Sequence, residues 1–186
     1  MNISHGDHTK AARDLLKAGV DIFASAETIE ASGLSGHRVN AIIHGKQFQL
    51  GTFIILPFEL QHDVPNTGYL LYSIATKEKV AFITDSYYCR YTFTGLNVIM
   101  LECNHSYDIL DANVAAGVLP VEMKKRLIKS HFSLENVKKF LLANDLSKVQ
   151  EIWLIHLSDG NSDAARFKRE VMEITGKPVY VAGERG

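Results

Sequence analysis

The spacing of apolar residues predicts a helix and a strand at the start of the chain. Apolar side chains recur at helical spacing over Thr9–Ala18, and Gly19 follows as a helix-ending residue. The next apolar run, Val20–Ser25, predicts a short strand, and Ala26–Ala31 predicts a brief helix. The pattern therefore mixes helices and strands from the beginning.

The middle of the chain consists of apolar runs rich in β-branched and aromatic residues, which are typical of strands. Gly45 and Gly51 separate the first three runs, and a polar turn at 75–78 separates the next two. Leu96–Cys103 is almost continuously apolar, as expected of a strand that is covered on both faces. The predicted strands are Arg38–Ile43, Phe48–Leu50, Thr52–Phe58, Gly68–Ile74, Lys79–Thr84 and Leu96–Cys103.

Helices and strands alternate in the last third of the chain. Ser133 is a candidate N-cap for one of the helices, and Gly176 ends another. The pattern predicts a single α/β domain over residues 1–186, with large sheets and helices packed outside them. The predicted elements are helices over Val121–Ser130, Ser133–Asp145 and Asn161–Thr175 and strands over Glu151–Leu157 and Lys177–Ala182.

The composition narrows the class of protein more than the function. The chain has 186 residues, which is long enough for one domain to fold without a disulfide or metal staple. Its 20 basic and 21 acidic residues give a net charge of −1, so the bulk charge does not indicate nucleic-acid binding. Cys89 and Cys103 are too few for a disulfide framework or a thiolate metal site.

The ends of the predicted strands carry the residues with useful chemistry. His62, Asp85, His105 and His156 each lie at such an end or just past it. Strand ends meet at a sheet edge, where clefts form, and imidazole together with carboxylate suits zinc or manganese. Each histidine taken singly is more often a surface or core residue, and Asp85 could form an Asx-turn.

The stretch SHGDH near the start of the chain has two interpretations. His5, Asp7 and His8 precede the first predicted helix. They could be metal ligands, but Asp7 or Thr9 could equally cap the helix. The stretch alone does not distinguish these interpretations.

Four motifs in order resemble those of the metallo-β-lactamase superfamily, in its ribonuclease Z-like and bacterial exonuclease-like branch. HGDH matches the last four positions of the His-x-His-x-Asp-His motif of that family. ELQHDVPNTGYLL, FITDSY and IHLSDGNSD resemble the following motifs and supply His62, Asp85 and His156. ECNHSYDIL and SHFSLENV are also similar to segments of this branch, so the likeness covers nearly the whole chain.

The resemblance implies an αββα sandwich whose sheet edges hold one or two divalent metals, zinc or manganese. It places Asp85 as a ligand that bridges the two ions. It also implies two groups of further ligands, which are Asp7, His8 and His156 for one ion and His5 and His62 for the other.

The function that the resemblance implies is metal-dependent hydrolysis, with an activated water attacking a phosphodiester of a small molecule or a nucleic acid. Asp7 would orient that water, and His131 would donate a proton to the leaving oxygen. Two alternatives stay open: hydrolysis of another ester, thioester, lactone or lactam on the same fold, or an inactive truncated relative that acts as a binding protein.

The chain departs from the family pattern at its start. Ile3 occupies the position of the leading histidine, unless His5 takes that place after a deletion. The family has several strands before this motif, so we expect the first N-terminal strands to be lacking and one metal to bind more tightly than the other. An uncovered sheet exposes apolar surface, so we expect a homo-oligomer or a rearranged edge strand.

Our expectation of the cellular compartment depends on two sequence signals, a secretory signal and a membrane-spanning helix. We find no positively charged stretch followed by an apolar core at the start, as a secretory signal would have. Apolar runs also stay short of the ~18 residues of a spanning helix. We therefore expect a cytoplasmic protein that does not enter a membrane.

Overall fold

The computed structural model describes Met1, Thr9 and residues 11–183. Helices and strands alternate through these residues, and they divide between a large and a small sheet. The helices are α1 (Ala12–Lys17), α2 (Ala26–Ser32), α3 (Tyr107–Ala115), α4 (Val121–Ser130), α5 (Leu134–Leu142) and α6 (Ala164–Thr175). The strands are β1 (Ile22–Ser25), β2 (Val39–Ile42), β3 (Phe48–Leu50), β4 (Phe53–Leu60), β5 (Asn66–Ser73), β6 (Lys79–Ile83), β7 (Val98–Glu102), β8 (Glu151–Ile155) and β9 (Val179–Val181).

The large sheet has seven strands in the order β3-β4-β5-β6-β7-β8-β9. Strands β3 to β6 pair antiparallel, whereas β6 to β9 pair parallel. The carboxyl ends of the parallel strands meet at one edge, where clefts form in sheets of this kind. The three helices α3, α4 and α5 connect β7 to β8, and α6 connects β8 to β9.

One face of the large sheet carries the main hydrophobic core. Ile83, Leu101 and Leu154 on neighbouring strands are fully buried, and helix residues Val137 and Phe167 join the same cluster. Ser133 caps α5 as predicted, because its hydroxyl accepts a hydrogen bond from Asn136 N at 3.2 Å. This packing joins α5 to the core through Leu134, Val137, Phe140 and Leu141.

The opposite face of the large sheet is only partly covered. A row of large side chains crosses five strands in register and stays half-buried or exposed. The strand β7 therefore differs from the expectation of cover on both faces, since its burial alternates along the strand. The row consists of Tyr69, Phe82, Met100, Trp153 and Tyr180.

A second, two-stranded sheet is formed by β1 and β2, which pair parallel. It has its own small cluster of buried residues with α1, including Ala12 and Ile22. Phe23 stacks on Phe48 of the large sheet, with ring centroids 5.3 Å apart. The two sheets therefore contact each other at this end of the molecule.

The α/β class predicted from the sequence is confirmed, and most predicted elements are present with boundaries within three residues of the predicted ones. The two sheets differ in size, because seven of the nine strands in the described part of the chain join one sheet. Helix α3, with Leu110 as its buried residue, was not predicted. None of the helices in the described part of the chain has the length and hydropathy that a membrane crossing requires.

Candidate metal centre

Four side chains with metal-binding atoms converge at the carboxyl edge of the parallel strands. Asp85 follows β6, Glu102 ends β7, and His156 directly follows β8. His131 directly follows α4, between the buried residues Ser130 and Phe132. One ligand atom from each residue lies within 4.8 Å of the others. The parallel topology thus gathers donors that are 71 residues apart in sequence (85 to 156).

The backbone turns sharply at two of these positions. Asp85 has a φ of 54° and His156 a φ of 56°. Both values lie in the left-handed region, which residues other than glycine rarely adopt. Asn66 donates to the carbonyl groups of Thr84 and Asp85, and Asn104 donates to the carbonyl of His156 at 3.0 Å. These buried amides hold the two turns, so both donor side chains point into the same space.

Glu102 is the buried centre of the group. Its Oε1 atom accepts from Nδ1 of His131 at 2.6 Å and lies 2.9 Å from Nδ1 of His156. Its Oε2 atom accepts from the backbone N–H groups of Ser86 at 3.0 Å and Phe132 at 3.3 Å. Burial alone would raise the pKa of the Glu102 carboxyl, but the hydrogen bonds from the two histidines hold this pKa below its usual value. The carboxyl group is therefore ionised and fully engaged.

His156 also approaches Asp85, with 3.3 Å between Nδ1 and Oδ1. The other Asp85 oxygen accepts from the hydroxyl of Thr84 at 3.1 Å. The side chain of Asp85 is 2% exposed, whereas that of His156 is 33% exposed. The group is therefore open to solvent on the His156 side.

His62 borders the group without joining the four closest donors. Its Nδ1 atom donates to the Ser130 carbonyl at 2.7 Å, and Nε2 lies 3.0 Å from Asp63 Oδ1. Its ring centroid lies 5.4 Å from that of His131. Burial lowers the pKa of His62, which favours the neutral imidazole that binds metals.

Comparisons with solved structures find likenesses over almost the whole chain. The metallo-β-lactamase fold protein YhfI from Bacillus subtilis is 16% identical, with a TM-score of 0.71 over 97% of this chain and 72% of that chain. Igni18, a metallo hydrolase from Ignicoccus hospitalis, is 15% identical, with a TM-score of 0.62 over 96% of this chain and 72% of that chain. Yeast PDE1 is 13% identical, with a TM-score of 0.68 over 98% of this chain and 65% of that chain.

The chain has the metallo-β-lactamase fold. No protein-family profile and no curated protein matches it, so the fold rests on the solved structures. The resemblance read from the sequence motifs is thereby confirmed at the level of the fold.

On this metallo-β-lactamase fold, the sequence-predicted site residues have different outcomes. His62, Asp85, His131 and His156 come together at one sheet edge. His5, Asp7 and His8 lie outside the described residues, so their roles as ligands and the role of Asp7 toward the water stay predictions.

Two strand-end residues show what the sequence pattern alone does not resolve. Glu102 was not predicted as a site residue, although ECNH places a carboxylate directly after an apolar run. His105, in contrast, is fully buried and stays outside the four-donor group. Its ring nitrogens have no hydrogen-bond partner among the described residues, and burial lowers its pKa to about 4. His105 therefore belongs to the packed interior beneath the site.

The donor set fits a divalent cation. Asp85 offers a carboxylate oxygen and His156 an imidazole nitrogen, donor types that suit zinc or manganese, whereas both oxygens of Glu102 already accept hydrogen bonds. Each histidine donates a hydrogen bond to Glu102, and this bond fixes the orientation of the histidine ring. Carboxylates orient metal-binding histidines in the same way in other metal sites. The fold, which the metallo hydrolase Igni18 shares, therefore carries a candidate site for a divalent cation at the carboxyl edge of its sheet.

Proposed function

We propose that this chain is a metal-dependent phosphodiesterase of the nuclease type. The observation that carries the proposal is the convergence of Asp85, Glu102, His131 and His156 at the carboxyl edge of the sheet. The likeness to yeast PDE1 supports a phosphodiester as the substrate. Zinc or manganese is the metal that the donor chemistry favours, and the cytoplasm is the compartment that we expect.

The residues divide into ligands and a residue for proton transfer. Asp85 and His156 would hold the cation, with His62 on the adjoining side. A divalent cation there supplies Lewis acidity and lowers the pKa of water toward neutrality. Asp85 is held in orientation by Thr84, so its remaining oxygen faces His156.

Glu102 acts through the histidines. Both of its oxygens already accept hydrogen bonds, so its part is to position His131 and His156. The Nδ1 atom of His131 donates to Glu102, so the Nε2 atom is the one that can carry a proton to a leaving oxygen. We therefore assign His131 as the general acid.

The half-covered face of the large sheet supports a second part of the proposal, a homo-oligomer. Trp153 and Tyr180 stack at 4.8 Å on this face, and Tyr180 is 40% exposed. A contiguous apolar row of this kind is unusual on a monomer. Light scattering coupled to size exclusion should give a mass above that of one chain, and a clean monomer would contradict the oligomer.

An activity screen tests the proposed reaction. The protein is stripped with a chelator, reloaded with zinc or manganese, and offered bis-p-nitrophenyl phosphate, a cyclic nucleotide and a thioester. We expect turnover of a phosphodiester only after reloading. Turnover of the thioester alone, or no turnover with either metal, would overturn the proposal.

A further inference from the structure

A groove of about 500 Å³ lies between the loop that follows Asp85 and helix α5. Residues 88–92 form one wall. A volume of this size is ordinary for a small-molecule site. The other wall consists of Asn136, Lys139, Phe140, Ala143 and Asn144, none of which belongs to the four-donor group.

Two asparagines fix the distance between the walls. Asn136, in the first turn of α5, donates to the Tyr87 carbonyl at 3.1 Å. Asn144, just past the end of α5, accepts from Phe93 N at 2.6 Å and donates to the Phe140 carbonyl at 2.7 Å. The groove is therefore tied at both ends and exists before a ligand arrives.

The groove combines an apolar floor with an aromatic and cationic rim. Cys89 and Phe140 are 5% and 6% exposed, whereas Tyr88 is 52% exposed. Lys139 is exposed and forms no ion pair with a described residue, whereas Arg90 is already paired with Glu59 at 2.6 Å. No aspartate or glutamate is among the residues that line the groove. This chemistry suits a ligand that has a flat ring and, next to it, a negatively charged group.

Both walls begin at the metal centre. The Ser86 N–H donates to Glu102 at 3.0 Å, and the Ser86 hydroxyl donates to the Tyr88 carbonyl at 2.7 Å. Helix α5 begins at Leu134, three residues after His131. Both walls of the groove therefore lie on segments that start within three residues of a side chain of the four-donor group or of a residue bonded to it.

We infer that this groove binds a nucleotide of single-stranded nucleic acid, next to the phosphodiester that is cleaved. The base stacks on Tyr88, and the neighbouring phosphate pairs with Lys139. Only an unpaired strand exposes the face of a base to such a wall, because a duplex keeps it stacked. This inference rests on the proposed function for the cleavage step, but binding in the groove needs no metal.

The closing experiment measures binding in a metal-free buffer. The probe is a ten-residue oligothymidylate with a fluorophore at its far end, and the readout is fluorescence anisotropy. Tyr88→Ala and Lys139→Gln should each weaken binding about tenfold, and Tyr88→Phe should bind as the wild type does. Lys148→Gln is the matched control, since Lys148 is an exposed lysine outside the groove.

A kinetic comparison separates this inference from the proposed function. After metal loading, both variants should lose about ten times more kcat/KM on the oligonucleotide than on bis-p-nitrophenyl phosphate. Selective loss of binding without any turnover would support the groove and overturn the phosphodiesterase. Wild type that does not bind the oligonucleotide, or variants that bind it equally well, would overturn the groove.

Discussion

The Nδ1 atom of His131 lies 2.6 Å from Oε1 of Glu102, although the two residues are 29 positions apart in sequence. Glu102 ends a central strand, and His131 ends a helix, so tertiary packing alone brings them together. A charged acceptor at this distance strengthens the hydrogen bond and fixes the ring of His131. The candidate general acid is thus held by a fully buried carboxylate.

Replacement of this carboxylate should lower activity. In Glu102→Gln, the single amide oxygen replaces the two carboxylate oxygens that accept hydrogen bonds in the wild type. The amide N–H₂ group then faces other N–H groups and cannot accept from them. We expect kcat to fall about 100-fold and the free energy of unfolding to fall by about 1–3 kcal/mol. Steady-state kinetics and urea denaturation measure both.

The matched control for this change is Glu151→Gln. Glu151 begins the neighbouring strand β8, at the opposite end from the site, and accepts from Trp153 Nε1 at 2.9 Å. Its kcat should stay near that of the wild type. Equal losses in both variants would contradict a positioning role for Glu102.

His131→Ala tests the assignment of the general acid. Removal of a general acid lowers kcat most when the leaving group is poor. A dinucleotide has a poorer leaving group than bis-p-nitrophenyl phosphate, so the loss of kcat should be larger on the dinucleotide. Metal content, measured by atomic emission, should not change. Loss of the metal together with equal losses of kcat on both substrates would show that His131 is a metal ligand instead. The control is His37→Ala, at an exposed histidine.

The sequence predicts where the candidate metal centre lies but not the hydrogen bonds between its side chains. His62, Asp85 and His156 follow apolar runs, and strand ends converge at a sheet edge, so their proximity was predictable. The role of Glu102 depends on its contact with His131, which follows α4. No local sequence pattern predicts this contact, because tertiary packing brings the two residues together. His105 has the same strand-end position as the others, yet it points into the interior.

The fold shows the same division between local and long-range information. Helix α5 was predicted because its cap and its apolar spacing are both local signals. Helix α3 was not, since Leu110 is its one fully buried side chain and leaves little periodicity to read. The half-covered face also lay beyond prediction from β7, because Val98 and Met100 are as apolar as their buried neighbours.

The left-handed turn at His156 gives a stability prediction. A residue with a Cβ atom is strained at a φ of 56°, and glycine is not. His156→Gly should therefore be more stable than His156→Ala by about 1 kcal/mol, although both variants lack the imidazole. Urea denaturation of the two variants measures the difference, and an alanine variant of equal or higher stability would contradict the turn.

The ion pair between Asp108 and Arg166 gives a prediction on pH. Two hydrogen bonds of 2.6 and 2.9 Å join them and hold the pKa of Asp108 well below its ordinary value. A depressed carboxyl pKa stabilises the fold at pH values above the ordinary pKa of about 4, and this contribution is lost as the pH falls below that ordinary value.

Asp108→Asn should therefore destabilise the protein at pH 7 and progressively less below about pH 4. The effect should stay at about 1 kcal/mol or less, because the Asp108 side chain is 60% exposed and solvent screens the pair. Thermal unfolding over a pH series measures it, with Asp159→Asn at an exposed aspartate as control. A difference that persists unchanged at pH 3 would refute this account.

The most direct test of the central claim is metal binding by the wild type and by Asp85→Asn. Asparagine retains the turn but loses the charge, so the comparison isolates the ligand. Calorimetric titration with zinc or manganese should show a tight site in the wild type and at least about a 100-fold weaker one in Asp85→Asn, with loss of phosphodiester turnover. A wild type that binds no metal, or a variant that binds it equally well, would contradict a metal centre at this edge of the sheet.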